Sequence, residues 1–205
     1  MQTSKVLLLL SNGFEALEAG YFTDVLGWSG ENNGPNINIV TCGLRPLLKC
    51  TWGLTVKPDL MISEVDVTAY DALAIPGGFE EAGFYKDAYS DHFINVIRKF
   101  NESGKIIASI CVGSLALGKA EVLRGRKATT YQLNGIRMQQ LSDFGVNISN
   151  ESIIIDGNVI TCSSPAEGLS VAFLLLKNLT SADNMLRVSN LMGFNESICQ
   201  KVYHL

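Results

Sequence analysis

One cysteine of the chain stands where a reactive thiol is expected. Cys111 follows an apolar run at 105–110 and precedes a helical pattern. Ser109 and Gly113, two residues on either side of it, are small, as the sharp strand-to-helix turn around a raised nucleophile requires. A thiol at a helix N-terminus has a lowered pKa, because the helix dipole favours the thiolate. The alternative is an inert structural cysteine, since free cysteines are commonly buried in cores.

Two other segments carry groups that could serve such a thiol. Glu18 lies one turn after Phe14 and one turn before Phe22, at the edge of an apolar helix face. Taken alone, it is more readily a partly exposed helix carboxylate, because glutamate is rarely buried without a partner. Gly77 and Gly78 follow another apolar run. Two glycines let the backbone turn sharply and aim N–H groups into open space, which forms either an oxyanion site or an ordinary turn.

The segment at 113–119 imitates a phosphate-binding loop. Its letters, GSLALGK, have the glycine and lysine spacing of that loop, but Ala120 stands where serine or threonine should hold magnesium. The residues between the glycines are also good helix formers. We therefore predict a helix here rather than a nucleotide site.

Short apolar runs alternate with amphipathic patterns along the chain. The runs predict strands at 6–10, 37–41, 72–75, 106–110 and 159–162. Apolar residues spaced by three and four predict helices at 14–28, 93–100 and 169–176. This alternation predicts a doubly wound α/β sandwich whose mainly parallel sheet is covered by helices on both faces. Such sheets bind ligands beyond the carboxyl ends of their strands, where Cys111 and the two glycines lie.

The C-terminal part begins with a marked helix start. Ser164, Pro165 and Glu167 supply a capping hydroxyl, a proline at the first helical position and a glutamate at the third. Met185 and Val188 belong to a pattern that predicts one more helix in the tail. We expect one α/β domain at 1–180, with 181–205 as its C-terminal helical extension.

The composition favours a globular protein. The 205 residues are 47% apolar and 18% charged, which excludes a disordered chain. Acidic side chains outnumber basic ones by 20 to 16, which argues against nucleic acid or an anionic membrane as a partner. No apolar run approaches the ~20 residues of a membrane-spanning helix, and the run at 6–10 is too short for a secretion signal. We expect a cytoplasmic protein.

Cysteine and histidine usage argues against a metal site. The five cysteines include no Cys-x-x-Cys pair, so free thiols in a reducing compartment are expected. Zinc needs about four ligands at set spacings, whereas His92 and His204 have no second ligand near them in the sequence. We predict no metal and no organic cofactor.

Taken together, several segments resemble the ThiJ/PfpI family over about residues 4–180. The matching segments are GFEALE at 13–18, DVL at 24–26, GL at 53–54, PD at 58–59, YDALAIPGG at 70–78, ICVG at 110–113 and ATT at 128–130. The resemblance implies a flavodoxin-like fold, of the kind also found in class I glutamine amidotransferases.

The resemblance also implies roles for the candidate residues. Cys111 would be the reactive thiolate, and the Glu18 carboxyl would hydrogen-bond it. The N–H groups of Gly78 and Val112 would form an oxyanion-type pocket, with Gly77 beside them. A carboxyl buried next to a thiol tends to stay protonated and can donate to the sulfur, so the two groups should titrate as a coupled unit.

The sequence departs from the family pattern at two places. Tyr131 follows the threonine pair at 129–130, where many family members carry a histidine. Tyr131 can donate a hydrogen bond to a substrate but is a poor base, which argues against a cysteine peptidase of the PfpI type. The family's Arg-Gly-Pro-Gly pattern is replaced by SSPA at 163–166, so an arginine that could hold an anionic ligand is missing.

These observations predict a cofactor-free enzyme of small reactive carbonyls, with glyoxalase or deglycase chemistry. Cys111 would be the nucleophile and Glu18 the proton shuttle. The alternative is a non-enzymatic thiol redox sensor or stress chaperone. The expected partners are a small aldehyde or peroxide and, by the resemblance, a second copy of the chain in a homodimer.

Overall fold

The computed structural model describes residues 3–133, 135–194 and 202. Its strands are β1 (Ser4–Leu10), β2 (Ile37–Gly43), β3 (Leu48–Lys49), β4 (Thr55–Val56), β5 (Leu60–Met61), β6 (Ala72–Ile75), β7 (Ile106–Ser109), β8 (Lys127–Ala128), β9 (Asn147–Ile148), β10 (Ile153–Asp156) and β11 (Val159–Cys162). Its α-helices are α1 (Ala16–Gly27), α2 (Phe84–Ala88), α3 (Asp91–Glu102), α4 (Gly113–Lys119), α5 (Ile136–Asp143), α6 (Gly168–Leu179) and α7 (Ala182–Leu191).

A seven-stranded sheet runs through the described part of the chain in the order β10-β11-β7-β6-β1-β2-β5. Its neighbouring strands are parallel except β10 and β11, which are antiparallel at one edge. The chain leaves β1 for β2 on one side and later returns to β6 on the other, so the strand order reverses at β1. Ligands bind at such a switch point, beyond the carboxyl ends of the strands. The flavodoxin-like α/β fold is confirmed.

The central strands are covered on both faces. All four residues of β6 are buried, as are the last five of β1. Helices α1 and α6 pack together, α6 also packs against β7 and β11, and α3 packs against β6 and β7. This burial explains why each predicted strand is a nearly continuous apolar run. The five predicted strands occur as β1, β2, β6, β7 and β11, within two residues of the predicted bounds.

β10 is absent from the predicted strands, although its isoleucines at 153–155 and the following Asp156-Gly157 are typical of a β-hairpin. β10 forms by pairing with β11 across a turn in which Gly157 has a φ of +59°. The other unpredicted strands have two residues each, too few for any periodicity.

The predicted helices occur as α1, α3 and α6, and the segment at 113–119 is helical, as expected. The predicted apolar face of the first helix is wrong, because Leu17 and Trp28 are exposed whereas α1 buries Glu18, Phe22 and Leu26. The helix start at Ser164 is only partly right. Pro165–Glu167 form a single 3₁₀ turn with proline first, and α6 begins at Gly168. Ser164 has an extended backbone, and its hydroxyl makes no capping hydrogen bond. Phe14 precedes α1 and forms an isolated bridge with Gly78.

The predicted tail helix occurs as α7 and packs against α6. It is also tied to the end of α1, where Asn184 Nδ2 donates to Ser29 Oγ at 3.0 Å and Arg187 Nη2 donates to Ser29 O at 2.6 Å. The tail after residue 194, apart from residue 202, lies outside the described residues, and with it Cys199 and His204. Within the described part of the chain, no helix has the length and apolar character to cross a bilayer.

Candidate functional site

The Cys111 backbone is held in the left-handed conformation, with a φ of +52°, between β7 and α4. Holding a residue other than glycine there costs about 1–3 kcal/mol, so its surroundings must impose it. The hydroxyls of Ser114 and Thr130 both donate to the Cys111 carbonyl oxygen, at 3.0 and 3.2 Å. The Cys111 N–H lies near Sγ of Cys162 and lowers the pKa of that thiol. This strained elbow is the turn expected from the small residues around Cys111.

The turn after β6 presses two glycines against neighbouring segments. A Cβ on Gly77 would lie 3.0 Å from the Val112 nitrogen and 3.1 Å from Oε2 of Glu18. A Cβ on Gly78 would lie 2.2 Å from the Gly13 carbonyl oxygen. Neither glycine has a positive φ, so the turn does not need them for a left-handed backbone. They are needed because three segments of backbone meet where a side chain would not fit.

The backbone N–H group of Gly78 takes no part in the hydrogen bonds between these segments. The bridge beside Gly78 uses the Phe79 N–H, which donates to Gly13 O at 3.1 Å, and the Glu15 N–H, which donates to Gly77 O at 2.9 Å. These two bonds flank the bridge and do not use the Gly78 N–H. Gly78 borders the same cavity as Cys111.

Glu18 is fully buried on α1, at 0% exposure. Its Oε2 accepts a hydrogen bond of 2.5 Å from the Gly77 N–H, whereas Oε1 has no partner in hydrogen-bond geometry. The Cys111 thiol and the Glu15 carboxyl lie close enough to affect its ionisation. The reading of Glu18 as a partly exposed helix carboxylate is therefore wrong. Protonation converts Oε1, a buried acceptor without a partner, into a hydroxyl group that can donate a hydrogen bond beside the thiol.

Burial raises the pKa of Glu18 to about 8, against the Gly77 hydrogen bond, which favours the carboxylate. The neighbouring Glu15 adds to the rise, and the Cys111 thiol opposes it. Glu18 is therefore mainly protonated at neutral pH, as expected for a carboxyl held in an apolar surrounding.

Burial also raises the pKa of the Cys111 thiol, and the negative charge of ionised Glu18 raises it further. The nearby Val112 N–H lowers the pKa of this thiol. The expectation of a lowered thiol pKa is wrong for this arrangement, because the sulfur-bearing residue is only 6% exposed at the start of a seven-residue helix. Since the charge on Glu18 acts on the thiol, the two groups titrate as a coupled pair.

A cavity of about 480 Å³ opens beside the elbow. Cys111, Val112, Gly78 and Tyr131 line it, and Glu18 is held behind them through its bond to Gly77. The structure thus brings together every residue that the sequence pointed to, including Tyr131, which is half-buried at the cavity. Their catalytic roles stay predictions.

Charged side chains surround the same cavity. Glu15, Glu80 and Glu81 line it together with one arginine, Arg137. The Arg137 guanidinium donates to Oε2 of Glu80 at 2.8 Å and lies 5.0 Å from the centre of the Tyr85 ring. Two of the three carboxylates therefore have no basic partner among the lining residues.

No pattern in the sequence predicts that Arg137 lies at this cavity. It comes from α5, whose letters have only a weak apolar pattern, and it reaches the cavity through the fold. It supplies a guanidinium at a cavity where the segment 163–166 has none. Ser114 belongs to the segment at 113–119, for which the sequence predicts only a helix. No pattern in the sequence indicates that its hydroxyl bonds the Cys111 carbonyl oxygen.

His92 lies away from this site. It lines a separate cavity with Ile62 and Lys99, so it cannot act as an imidazole base for Cys111. Among the described residues, no group of three or more histidine, cysteine, aspartate or glutamate side chains could hold a metal ion.

The sequence profile of the DJ-1/PfpI family matches residues 4–178. This chain belongs to the DJ-1/PfpI family. A relative named deglycase from Pyrococcus horikoshii is 32% identical over 163 residues, which cover 80% of this chain and 92% of that protein. Protein DJ-1 homolog A of Arabidopsis thaliana is 25% identical over 191 residues. That match covers 93% of this chain, which spans only 46% of the plant protein's length.

Solved DJ-1/PfpI structures share the fold. The crystal structure of Drosophila melanogaster DJ-1beta has a TM-score of 0.83 at 23% identity, covering 95% of this chain and all of the other. Oxidised Toxoplasma gondii DJ-1 has a TM-score of 0.77 at 23% identity, covering 93% of this chain and 98% of the other. At this level of identity the likeness establishes the architecture.

Proposed function

We propose that this protein converts small α-oxoaldehydes to hydroxy acids through a covalent bond to Cys111. The supporting observation is the strained Cys111 at a cavity, backed by a buried carboxyl whose pKa is about 8. The relatives named deglycase in Pyrococcus horikoshii and Pyrococcus furiosus, 32% and 31% identical, support an enzyme of this chemical class.

The first step is attack of the Cys111 sulfur on the aldehyde carbon. Ionised Glu18 accepts the thiol proton as the carbon–sulfur bond forms, so no free thiolate has to persist in the buried site. The carbonyl oxygen becomes an alkoxide facing the N–H groups of Gly78 and Val112, which favour the negative charge. Glu18 then returns the proton to this oxygen, and the product is a hemithioacetal.

The second stage moves a hydrogen between adjacent carbons. Glu18 removes the proton from the carbon bound to sulfur, and the electron pair passes through an enediol to the neighbouring carbonyl. Protonation of that neighbouring carbon gives a thioester, which water hydrolyses to the hydroxy acid and the free Cys111 thiol. From methylglyoxal, the sum is addition of one water to give lactate.

The pKa of Glu18 suits both directions of transfer. A proton carrier works best when its pKa lies near the working pH, because both protonation states are then populated. An ordinary glutamate would be almost wholly ionised at neutral pH and a poor proton donor. Burial raises the pKa of this carboxyl to about 8 instead, although the Gly77 hydrogen bond lowers it.

The charge around the cavity favours neutral or cationic carbonyl compounds. Glu15, Glu80 and Glu81 face a single arginine, and Arg137 is already paired with Glu80. An anionic substrate would approach two unpaired carboxylates, each repelling it by about 1 kcal/mol at close range in a water-like surrounding. Methylglyoxal carries no charge and avoids this penalty.

Lactate formation from methylglyoxal tests the proposal. We expect turnover by the wild type, none by Cys111→Ser, and strongly reduced turnover by Glu18→Gln, which keeps an oxygen for the Gly77 N–H but cannot carry a proton. Circular dichroism checks that both variants are folded. A wild-type protein without turnover, whose Cys111 is nevertheless oxidised stoichiometrically by peroxide, would be a redox sensor and not this enzyme.

We also propose that the protein works in the cytoplasm. Cys42, Cys50, Cys111 and Cys162 are free thiols in the described part of the chain, and such thiols are kept reduced in that compartment. Fractionation of the source cells with an antibody to the protein tests this, and recovery from an oxidising compartment would contradict it.

A further inference from the structure

A second cysteine stands beside the Cys111 elbow. Strands β7 and β11 are parallel neighbours, and Ser109 lies opposite Thr161. The next residue of β11, Cys162, therefore lies opposite Ile110, one residue before Cys111. Neighbouring strands are about 4.8 Å apart, and the Cα atoms of disulfide-bonded cysteines are about 4.4–6.8 Å apart. The register thus puts the two cysteines within reach of each other.

The two cysteines lie close enough to affect each other's ionisation. The Cys111 backbone N–H lowers the pKa of Cys162, and the charge of Cys162 raises the pKa of Cys111. The Cys162 thiol donates to the Ser164 carbonyl oxygen at 3.5 Å. The charge of Glu18 acts on both thiols. Both thiols therefore lie near the Glu18 carboxyl.

Accessibility distinguishes the two thiols. Cys111 lines the cavity and is 6% exposed, whereas Cys162 is 0% exposed and is not among the cavity-lining residues. An oxidant entering the cavity meets Cys111 first. Cys42 and Cys50 are buried in β2 and just after β3, and neither lines the cavity.

We propose that Cys162 is a resolving cysteine that forms a disulfide with Cys111 after a hydroperoxide has oxidised Cys111. The Cys111 sulfur attacks the distal peroxide oxygen, the O–O bond breaks, and Cys111 becomes a sulfenic acid while an alcohol or water leaves. The Cys162 sulfur then attacks the Cys111 sulfur, the S–O bond breaks, and water leaves with the Cys162 proton. Two electrons pass from the two thiols to the peroxide.

The disulfide would protect Cys111 from further oxidation and would also prevent it from reacting with a carbonyl compound. A sulfenic acid without a resolving thiol proceeds to sulfinic acid, which thiols do not reverse, whereas a disulfide is reduced by thiols. While the disulfide persists, the sulfur cannot attack a carbonyl compound. The inference shares the Cys111 thiol with the proposed function but requires no carbonyl substrate.

Mass spectrometry after treatment with one equivalent of hydrogen peroxide tests the inference. The wild type should become lighter by two hydrogen atoms, and digestion without reductant should give a linked pair of peptides containing Cys111 and Cys162. Dithiothreitol should restore the original mass. Cys162→Ser and Cys162→Ala should instead gain one or two oxygen atoms on Cys111, and the matched control Cys50→Ser should behave as the wild type does.

Three results would overturn the inference. They are oxygen addition to wild-type Cys111 at the same rate as in both Cys162 variants, a linked peptide pair without Cys162, and a linked pair that persists in Cys162→Ala. A wild type that makes lactate but gives no linked pair contradicts only this inference. A linked pair in a protein without lactate formation contradicts only the proposed function.

Discussion

Replacing Glu18 by glutamine should remove a large pH dependence from the free energy of unfolding. The folded chain holds the Glu18 proton up to a pKa of about 8, whereas the unfolded chain releases it near the ordinary value of 4.5. Between these pH values the folded state binds one more proton, so stability falls as pH rises. The contribution of protonated Glu18 to the free energy of unfolding is complete below pH 4.5 and is lost as the pH rises through about 8. The total change in the free energy of unfolding over this range is ~5 kcal/mol.

Glutamine is the matched change because it keeps an oxygen for the Gly77 N–H but cannot ionise. Urea unfolding of both proteins, followed by circular dichroism, should be measured at several pH values between about 5 and 8. The stability of the wild type minus that of Glu18→Gln should fall by ~1.4 kcal/mol for each pH unit. Titrating groups that do not interact with Glu18 cancel in this difference. A difference that stays constant would refute the raised pKa, and one that grows with pH would show a lowered pKa.

Other predictions follow from the elbow, the glycines, the cavity and the family. The free energy of unfolding of Cys111→Gly, measured with urea, should exceed that of Cys111→Ala by about 1 kcal/mol, because glycine adopts the left-handed backbone without strain. Equal stabilities of the two variants would argue against strain at this position. Gly78→Ala should destabilise by about 2 kcal/mol or more and abolish lactate formation, since its Cβ would overlap the Gly13 carbonyl. Gly20→Ala, in open space on α1, should stabilise slightly, so equal effects would contradict the packing account. The kcat/KM for methylglyoxal should exceed that for the anionic α-oxoaldehyde 4,5-dioxopentanoate by about tenfold at low salt and less at high salt, and a preference for 4,5-dioxopentanoate would contradict the charge argument. Light scattering should give a homodimer mass, as the family resemblance predicts, and a monomer mass would refute it.

Short-range sequence patterns determined the architecture of this protein. Buried strands had to be apolar on both faces, so the five strands around the switch point could be located from letters alone. Cys111 could be singled out because the elbow requires small neighbours within two residues, and that requirement is local. For the same reason the helix at 113–119 could be told from a phosphate loop.

Only the tertiary structure decided what surrounds the thiol. The bond between Glu18 and Gly77 joins residues 59 positions apart, and no local pattern records how deeply α1 buries that carboxyl. The same burial reversed the expected direction of the thiol pKa, because desolvation depends on every segment packed around the sulfur. Arg137 and Cys162 reach the site through the docking of α5 and the register of β11. Such contacts depend on how distant segments fit together, and a residue's type and neighbours in the chain do not contain that information.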